Sequence, residues 1–404
     1  MQLRGGTIKG CKHAVNEFKT AGNWSTASNW SLGKIPTTEI AFINANCTFN
    51  TATSFTGRLI ISEGVALTIS SGFSNGSALA IGDITVLGTL TCNASNFYFT
   101  KYLKFGPNGI VTGSQAIRTR TGTIKIISQN QTSFISCGVQ GGFSGSLDMS
   151  ECVGSTLSGV VLIPLINGAS ITIPQKFTFN GAVSVDRASG ISVSNALQIQ
   201  QNDKLVTFNS TANFNGSTYS GAYSTWFKGN ITLGLNAATA GGTLSSTFIL
   251  FETLNISNSG NGSNANTINC TSALINSGKT LTISRTNTGS TNFNGILNGV
   301  DGTATLVITA LGFNYSGSDL MVLGTLTCQT GSTVNYSGAT SQNIKSNTYE
   351  NLTVSQTSGT NTKTLLGNTT VNGNLIVDRS VLNRNGFTLT VIGTTTLLNG
   401  GTII

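Results

Sequence analysis

Val86-Leu-Gly-Thr-Leu-Thr-Cys92 returns unchanged as Val322-Leu-Gly-Thr-Leu-Thr-Cys328. Each copy lies where apolar and small polar residues alternate: Ile84-Thr-Val-Leu-Gly-Thr-Leu-Thr and Leu320-Met-Val-Leu-Gly-Thr-Leu-Thr. Alternation with period two is a strand signal, because successive side chains point to opposite faces. A strand written twice means that the chain reuses a structural unit. Residues 86–92 and 322–328 are therefore expected at equivalent strand positions, with Leu90 and Leu326 inward. Cys92 and Cys328 then fill equivalent small apolar positions.

Outward from these copies, short β runs alternate with Gly, Asn and Ser turns. Examples are Leu59-Ile-Ile-Ser, Ala66-Leu-Thr-Ile-Ser, Gly159-Val-Val-Leu-Ile, Ser170-Ile-Thr-Ile, Thr280-Leu-Thr-Ile-Ser and Thr305-Leu-Val-Ile-Thr. Such runs allow a solenoid, sandwich or barrel. The repeat and the length of 404 residues favour the solenoid, since a single sandwich rarely grows so large. The expected fold is all-β: a right-handed, mostly parallel β-solenoid over 47–404, with a loop-rich insertion around 201–262. Residues 1–46 are expected to be an attachment or capping segment. The best helix signal is Cys11–Phe18, enough for about two turns.

The chain is 38% hydrophobic and 8% charged, with 49 Gly and 4 Pro. A soluble domain is usually about 25% charged. Disorder would need low hydrophobicity with high charge. Stacked parallel strands repeat equivalent side chains about every 4.8 Å. Like charges repel at that spacing, whereas Thr, Ser and Asn can hydrogen-bond along the stack. The net charge of +8 is spread thinly, without the dense basic patch and interleaved aromatics of a nucleic-acid binder. A local excess falls in 1–35, where Arg4, Lys9, Lys12, Lys19 and Lys34 face Glu17 alone. That segment reads either as a solvated terminus or as an arm that docks on an acidic partner.

The seven cysteines are odd in number and widely spaced, without CxxC, and His13 is the sole histidine. Zinc motifs are absent, and free thiols fit assembly in a reducing cytoplasm. The first residues lack the apolar core of a secretory signal. No run of about 18 apolar residues could span a membrane.

Two stretches carry a resemblance. One runs Val334-Asn-Tyr-Ser-Gly-Ala-Thr-Ser-Gln-Asn-Ile, Tyr349-Glu-Asn-Leu-Thr-Val-Ser, Lys363-Thr-Leu-Leu-Gly-Asn-Thr-Thr-Val-Asn-Gly-Asn-Leu-Ile-Val and Phe387-Thr-Leu-Thr-Val-Ile-Gly. The other is Gly22-Asn-Trp-Ser-Thr-Ala-Ser-Asn-Trp-Ser-Leu-Gly-Lys-Ile-Pro-Thr-Thr-Glu-Ile-Ala-Phe-Ile. They resemble the Gly/Asn/Thr-rich β-helical repeats of large bacterial surface proteins, especially those of Bacteroidetes. Trp24, Asn29, Trp30, Gly33 and Pro36 match the pattern that often opens such a β-helix, and Glu39 stands near its usual Asp. The resemblance covers about a quarter of the chain and is specific for architecture, not for function. Those proteins carry a secretion signal and often a sorting domain, neither of which is visible here. The chain ends Leu397-Leu-Asn-Gly-Gly-Thr-Ile-Ile404 without a polar cap. A phage virion protein, assembled in host cytoplasm and sharing β-helical modules with its host's surface proteins, accounts for these departures.

Candidate chemistry is sparse. A lone histidine disfavours a His-based triad, and no P-loop or strand-linked GxGxxG occurs. Parallel β-helices do host polysaccharide-cleaving enzymes, which need two carboxyls roughly 5–10 Å apart. The best pair among 13 acidic residues is Asp148 and Glu151, which otherwise reads as a solvated turn. Asp83, Asp186, Asp203 and Asp301 are isolated in sequence but could be brought together by stacking. Tyr219, Tyr223, Trp226 and Phe227 form the densest aromatic group, suited to sugar faces or protein hot spots or, alternatively, to filling the core of a rung. Trp24 and Trp30 read as a cap over the first rung. Together with Arg4, Lys9, Lys12, Leu397, Leu398, Ile403 and Ile404 they are the candidate assembly contacts.

The expected function is a non-enzymatic phage structural protein: a tail fibre, tail-tip component or capsid fibre. The alternatives are a bacterial surface adhesin and a β-helical polysaccharide-degrading enzyme. No cofactor or metal is expected. Expected partners are other virion subunits, further copies of the chain and a host surface glycan or protein, without nucleic acid or membrane insertion. The expected location is the virion, or alternatively the bacterial surface.

Overall fold

The computed structural model describes residues 14–50, 55–71, 81–94, 98–119, 121–129, 133–137, 139–140, 144–152, 156–159, 161–163, 170–173, 176–185, 190–193, 205–214, 217–233, 242–257, 265–284, 289–317 and 324–404. The protein is all-β, built of parallel strands stacked as a β-solenoid. The single helical element among the described residues is a 3-10 turn at Ala27–Asn29. The chain divides into two units: Met1–Val161 with Ala169–Pro174 and Asn195–Ile199, and Leu162–Gly168 with Gln175–Ser194 and Gln200–Ile404.

In the first unit, one ladder stacks Val15–Phe18, Ile40–Ile43, Arg58–Ile61, Ile81–Val86, Tyr98–Phe105, Thr121–Ser128, Ser144–Asp148 and Ser170–Ile173, all parallel. A second stacks Gly22–Asn23, Cys47–Phe49, Ala66–Ile69, Thr89–Cys92, Ile110–Thr112, Ser133–Ile135 and Thr156–Leu157. Inward positions are apolar and form columns. Phe18, Ile43, Ile61, Val86 and Phe105 follow one another in register and are buried. Outward positions carry Thr: Thr48, Thr68, Thr91 and Thr112 form one in-register, half-buried column.

Among the described residues the ladder begins at Val15, upstream of the boundary expected at Cys47. Val15–Phe18 is a strand and not the expected helix. Its Asn16 and Phe18 point inward, and its backbone pairs with Ile40–Ile43. A helix there would break that pairing and withdraw Phe18 from Trp30, whose ring centroid lies 5.0 Å away.

The second unit is built the same way. One ladder runs through Phe177–Phe179, Leu205–Phe208, Thr218–Phe227, Thr243–Phe251, Asn266–Ile275 and Thr291–Gly299. It continues through Phe313–Tyr315, Thr333–Tyr336, Asn351–Ser355, Leu375–Asp378 and Thr395–Leu398. Within the region 201–262 expected as a loop-rich insertion, the described segments 205–214, 217–233 and 242–257 carry regular ladder strands. Phe208, Phe227 and Phe251 supply the interior of these segments. These rings stack: Phe179–Phe208 at 4.9 Å, Phe208–Phe227 at 4.8 Å and Phe227–Phe251 at 6.2 Å between centroids. Such aromatic pairs add about 0.5–1.5 kcal/mol each beyond area burial.

The repeated heptapeptide behaves as its alternation implies. Thr89–Cys92 lies on Ala66–Ile69, and Thr325–Cys328 lies on Thr305–Ile308. Leu90 and Leu326 are buried and sit over Leu67 and Leu306. Val322 and Leu323 lie outside the described residues. Cys92 is buried, whereas Cys328 is half-buried and accepts a hydrogen bond from Asn347 Nδ2 at 3.7 Å. The glycine of the motif has a steric reason. A β-carbon on Gly88 would collide with the carbonyl oxygens of Ser62 and Val65, and one on Gly324 with that of Gly302. In both copies the turn presses onto the backbone of another rung. By contrast, a β-carbon on Gly302 meets nothing within 4 Å.

Gly88→Ala and Gly324→Ala should each destabilise the protein by about 2–4 kcal/mol, because backbone must move. Gly302→Ala should stay within about 0.5 kcal/mol of wild type. Urea denaturation of the three variants checks this.

Candidate functional site

The amino-terminal pattern forms a packed rung. Trp24 is fully buried and Trp30 nearly so. Trp24 packs against Trp30 at 4.6 Å, Phe49 at 4.7 Å and Phe55 at 5.6 Å. The Trp30 indole N–H donates to the Trp24 carbonyl at 2.9 Å. Neither ring is available as an assembly contact. Buried Asn16 holds the loop through that pattern: its Nδ2 donates to Lys34 O at 2.8 Å and its Oδ1 accepts from Leu32 N at 3.1 Å. Glu39, in the place of the pattern's Asp, is buried and accepts from the backbone N–H groups of Thr37 and Thr38 at 2.7 and 3.0 Å. Its other oxygen pairs with Lys34 at 2.6 Å. The Lys34 hydrogen bond, helped by those N–H groups against the desolvation of burial, holds the carboxyl down to about 2. Arg4, Lys9, Lys12 and His13 lie outside the described residues.

The aromatic group divides between interior and exterior. Tyr219 and Phe227 are fully buried. The Tyr219 hydroxyl bonds Thr225 Oγ1 at 2.8 Å, which bonds Ser246 Oγ at 2.9 Å. Tyr223 and Trp226 are half-buried. The Trp226 N–H donates to Glu252 Oε1 at 3.2 Å, and Lys228 Nζ lies 4.1 Å from its ring centroid. Glu252 also accepts from Asn276 Nδ2 at 2.8 Å and pairs with Lys279 at 3.2 Å. Burial pushes the Glu252 carboxyl up, but the bonds from Asn276 and Lys279, the charge of Lys279 and the indole N–H together leave it below its ordinary value. Trp226 thus clamps a corner of the wall, with one ring face occupied by a cation.

The acidic residues are engaged one by one. Asp148 Oδ1 accepts from Ser150 N at 3.0 Å, and Glu151 pairs with Lys125. Asp301 accepts from Ser277 Oγ at 2.6 Å and Thr303 N at 2.9 Å. Asp186 and Asp203 lie outside the described residues. Among the described residues no group of three or more His, Cys, Asp or Glu could hold a metal ion. The six described cysteines carry free thiols. Burial pushes Cys47, Cys270 and Cys328 up to about 12 and Cys137 up to about 11. They are correspondingly weak nucleophiles at neutral pH.

Stacking does assemble one exterior constellation that sequence reasoning missed. Arg58, Asp83, Tyr102, Lys125 and Asp148 are in-register neighbours on five successive strands of the first unit. Arg58 pairs with Asp83 at 3.6 Å. Tyr102 is 39% exposed, and Lys104 Nζ lies 5.2 Å from its ring centroid. Tyr102 and Phe387 are the exposed aromatics among the described residues. Asp83 and Asp148 are three strand steps apart, about 14 Å, too far for a glycosidase pair. Only the pairing register could have revealed this column, because its residues are separated by whole turns of the solenoid.

The second unit carries an amide column instead. Asn292, Asn314 and Asn335 face outward in register, with Nδ2-to-Oδ1 bonds of 2.8 Å (Asn314 to Asn292) and 3.1 Å (Asn335 to Asn314). Ser355 Oγ extends it, donating to Asn335 Oδ1 at 2.9 Å. Leu397, Leu398 and Ile404 are exposed and Ile403 is half-buried. Leu397 stands in register with Val377 in the inward column of its ladder.

No protein-family model matches the chain, and no curated protein or solved structure is significantly similar to it.

Glu39 has a pH signature. Its folded value lies below the ordinary carboxylate range, so its contribution is complete above about pH 4.5 and is lost as pH falls through about 2. Glu39→Gln should lower stability at pH 7 by about 1–3 kcal/mol. The gap from wild type should close near pH 2, as measured by thermal unfolding at both pH values.

Proposed function

We propose that the protein is a non-enzymatic structural component that acts by displaying the outer faces of its β-solenoid. On this reading it belongs to a phage virion, as a tail fibre, tail-tip or capsid fibre, and meets other virion subunits and a host surface glycan or protein. The observation that carries the non-enzymatic part is the disposition of the ionisable groups. Asp83, Glu151 and Glu252 are each paired with a basic neighbour along the wall. General acid–base work needs such groups converging on one reacting atom. Burial pushes the thiols of Cys47, Cys137, Cys152, Cys270 and Cys328 up, and the outward Asn, Ser and Thr columns are uncharged hydrogen-bonding surfaces. A long face of hydroxyls and amides is suited to a polyhydroxylated partner, to which every position offers both a donor and an acceptor. The virion placement rests on the repeat resemblance; the same resemblance would serve a bacterial surface adhesin.

Two measurements test the proposal. Incubation with host capsular or outer-membrane polysaccharide should retain the polymer without releasing oligosaccharides. Product release that is abolished by Asp148→Asn or Glu151→Gln would make the protein an enzyme. Gold-labelled antibody against the chain should decorate purified phage particles, whereas labelling of intact bacteria alone would make it an adhesin.

A further inference from the structure

The exterior column of the first unit has an order of charges that matters. Read along the stack it is Arg58, Asp83, Tyr102, Lys125, Asp148, that is plus, minus, aromatic, plus, minus. Reversed, the order is minus, plus, aromatic, minus, plus. A copy turned about a twofold axis that lies between the two faces, parallel to the strands at Tyr102, therefore offers the opposite charge at each charged position of this column. Arg58 meets Asp148 of the second copy, Asp83 meets Lys125, and the two tyrosines meet at the axis. A copy stacked in the same direction would instead set like charge on like. The flanking rungs do not oppose this, since Ile40 precedes Arg58 and Thr172 follows Asp148.

We propose that this face joins two copies of the chain, antiparallel, about a twofold axis at Tyr102. The proposal goes beyond the function above and stands without it.

Three further observations favour a second copy over another occupant. The chain carries +8 and repels itself at long range, yet this patch is nearly neutral: Arg58, Lys101, Lys104 and Lys125 against Asp83, Asp148 and Glu151. The face is open, with the Arg58, Lys125 and Glu151 side chains 53%, 33% and 48% exposed. The second outward column beside it carries Phe42, Ile60, Thr85, Lys104 and Ile127, all half-buried. Its Phe42, Ile60 and Ile127 give the polar stripe an apolar flank, as an interface has, while Lys104 lies over the Tyr102 ring at the axis. An isologous contact requires a self-complementary patch. The column spans four strand steps, about 19 Å. This is a small interface, held largely by charge and therefore sensitive to salt.

Sedimentation equilibrium of the full chain tests this with two charge reversals, Lys125→Asp and Asp83→Lys. Wild type should dimerise in about 0.01 M salt and lose at least about tenfold in affinity near 1 M, where screening falls to a few ångströms. Each variant alone sets two like-charge pairs across the axis and should be monomeric. An equimolar mixture restores opposite charge at all four charged contacts and should form a one-to-one heterodimer. That recovery also shows that both variants are folded. Wild type that stays monomeric, variants that still self-associate, or a mixture that does not recover would each overturn the proposal.

Discussion

Parallel strands stacked in register place every side chain about 4.8 Å from its equivalent in the next rung, and the remaining features of this protein follow from that repetition. A residue is selected by what stands above and below it. Inward, shapes must nest, and Phe179, Phe208, Phe227 and Phe251 do so as a stack of rings. Outward, groups must satisfy or neutralise each other. Thr48, Thr68, Thr91 and Thr112 form one such column, and Asn292, Asn314 and Asn335 another. Two like charges at this spacing repel by about 1 kcal/mol in water and more near protein. A chain that stacks must therefore carry little charge or alternate its sign. This one does both, being 8% charged overall and ordering Arg58, Asp83, Lys125 and Asp148 so that neighbouring charges differ in sign.

The same constraint shapes what the protein can do. A solenoid wall takes one or two outward residues from each rung, so a surface feature is assembled from positions a whole turn apart in sequence. It is long and shallow, with regular spacing. Such a surface lends itself to recognising extended or repeating partners, including another copy of itself. Glu252 shows what becomes of ionisable groups here: three neighbours hold it to the wall, one of them the Trp226 indole.

Much of the fold was legible in the sequence. The period-two alternation of Val86–Cys92 and its copy gave the strand type, the inward Leu90 and Leu326 and the repetitive architecture. Boundaries were harder, because turn composition and insertion composition look alike. The Gly- and Asn-rich region around 201–262 reads as loops until the Phe stack is seen to run through it. Val15–Phe18 is too short for its alternation to outweigh a helix reading, and it is a strand only because Ile40–Ile43 lies beside it. Trp24 and Trp30 were legible as packing residues, but their fragment of pattern could not tell a cap from the first rung itself. Tyr102 was not legible at all, since its importance lies in Asp83 and Lys125, its register neighbours in other rungs.

Register is the claim on which all of this rests, and cysteine cross-linking reads it directly. Thr68 and Thr91 are register partners, so their Cα atoms lie about 4.8 Å apart, within disulfide range. Thr89 is displaced from Thr91 by two residues along the strand, which puts it about 8 Å from Thr68 and out of range. The double variant Thr68→Cys/Thr91→Cys should close a disulfide under mild oxidation, and Thr68→Cys/Thr89→Cys should remain reduced. The reverse outcome, or closure of neither pair, would contradict the in-register stack and the column arguments built on it.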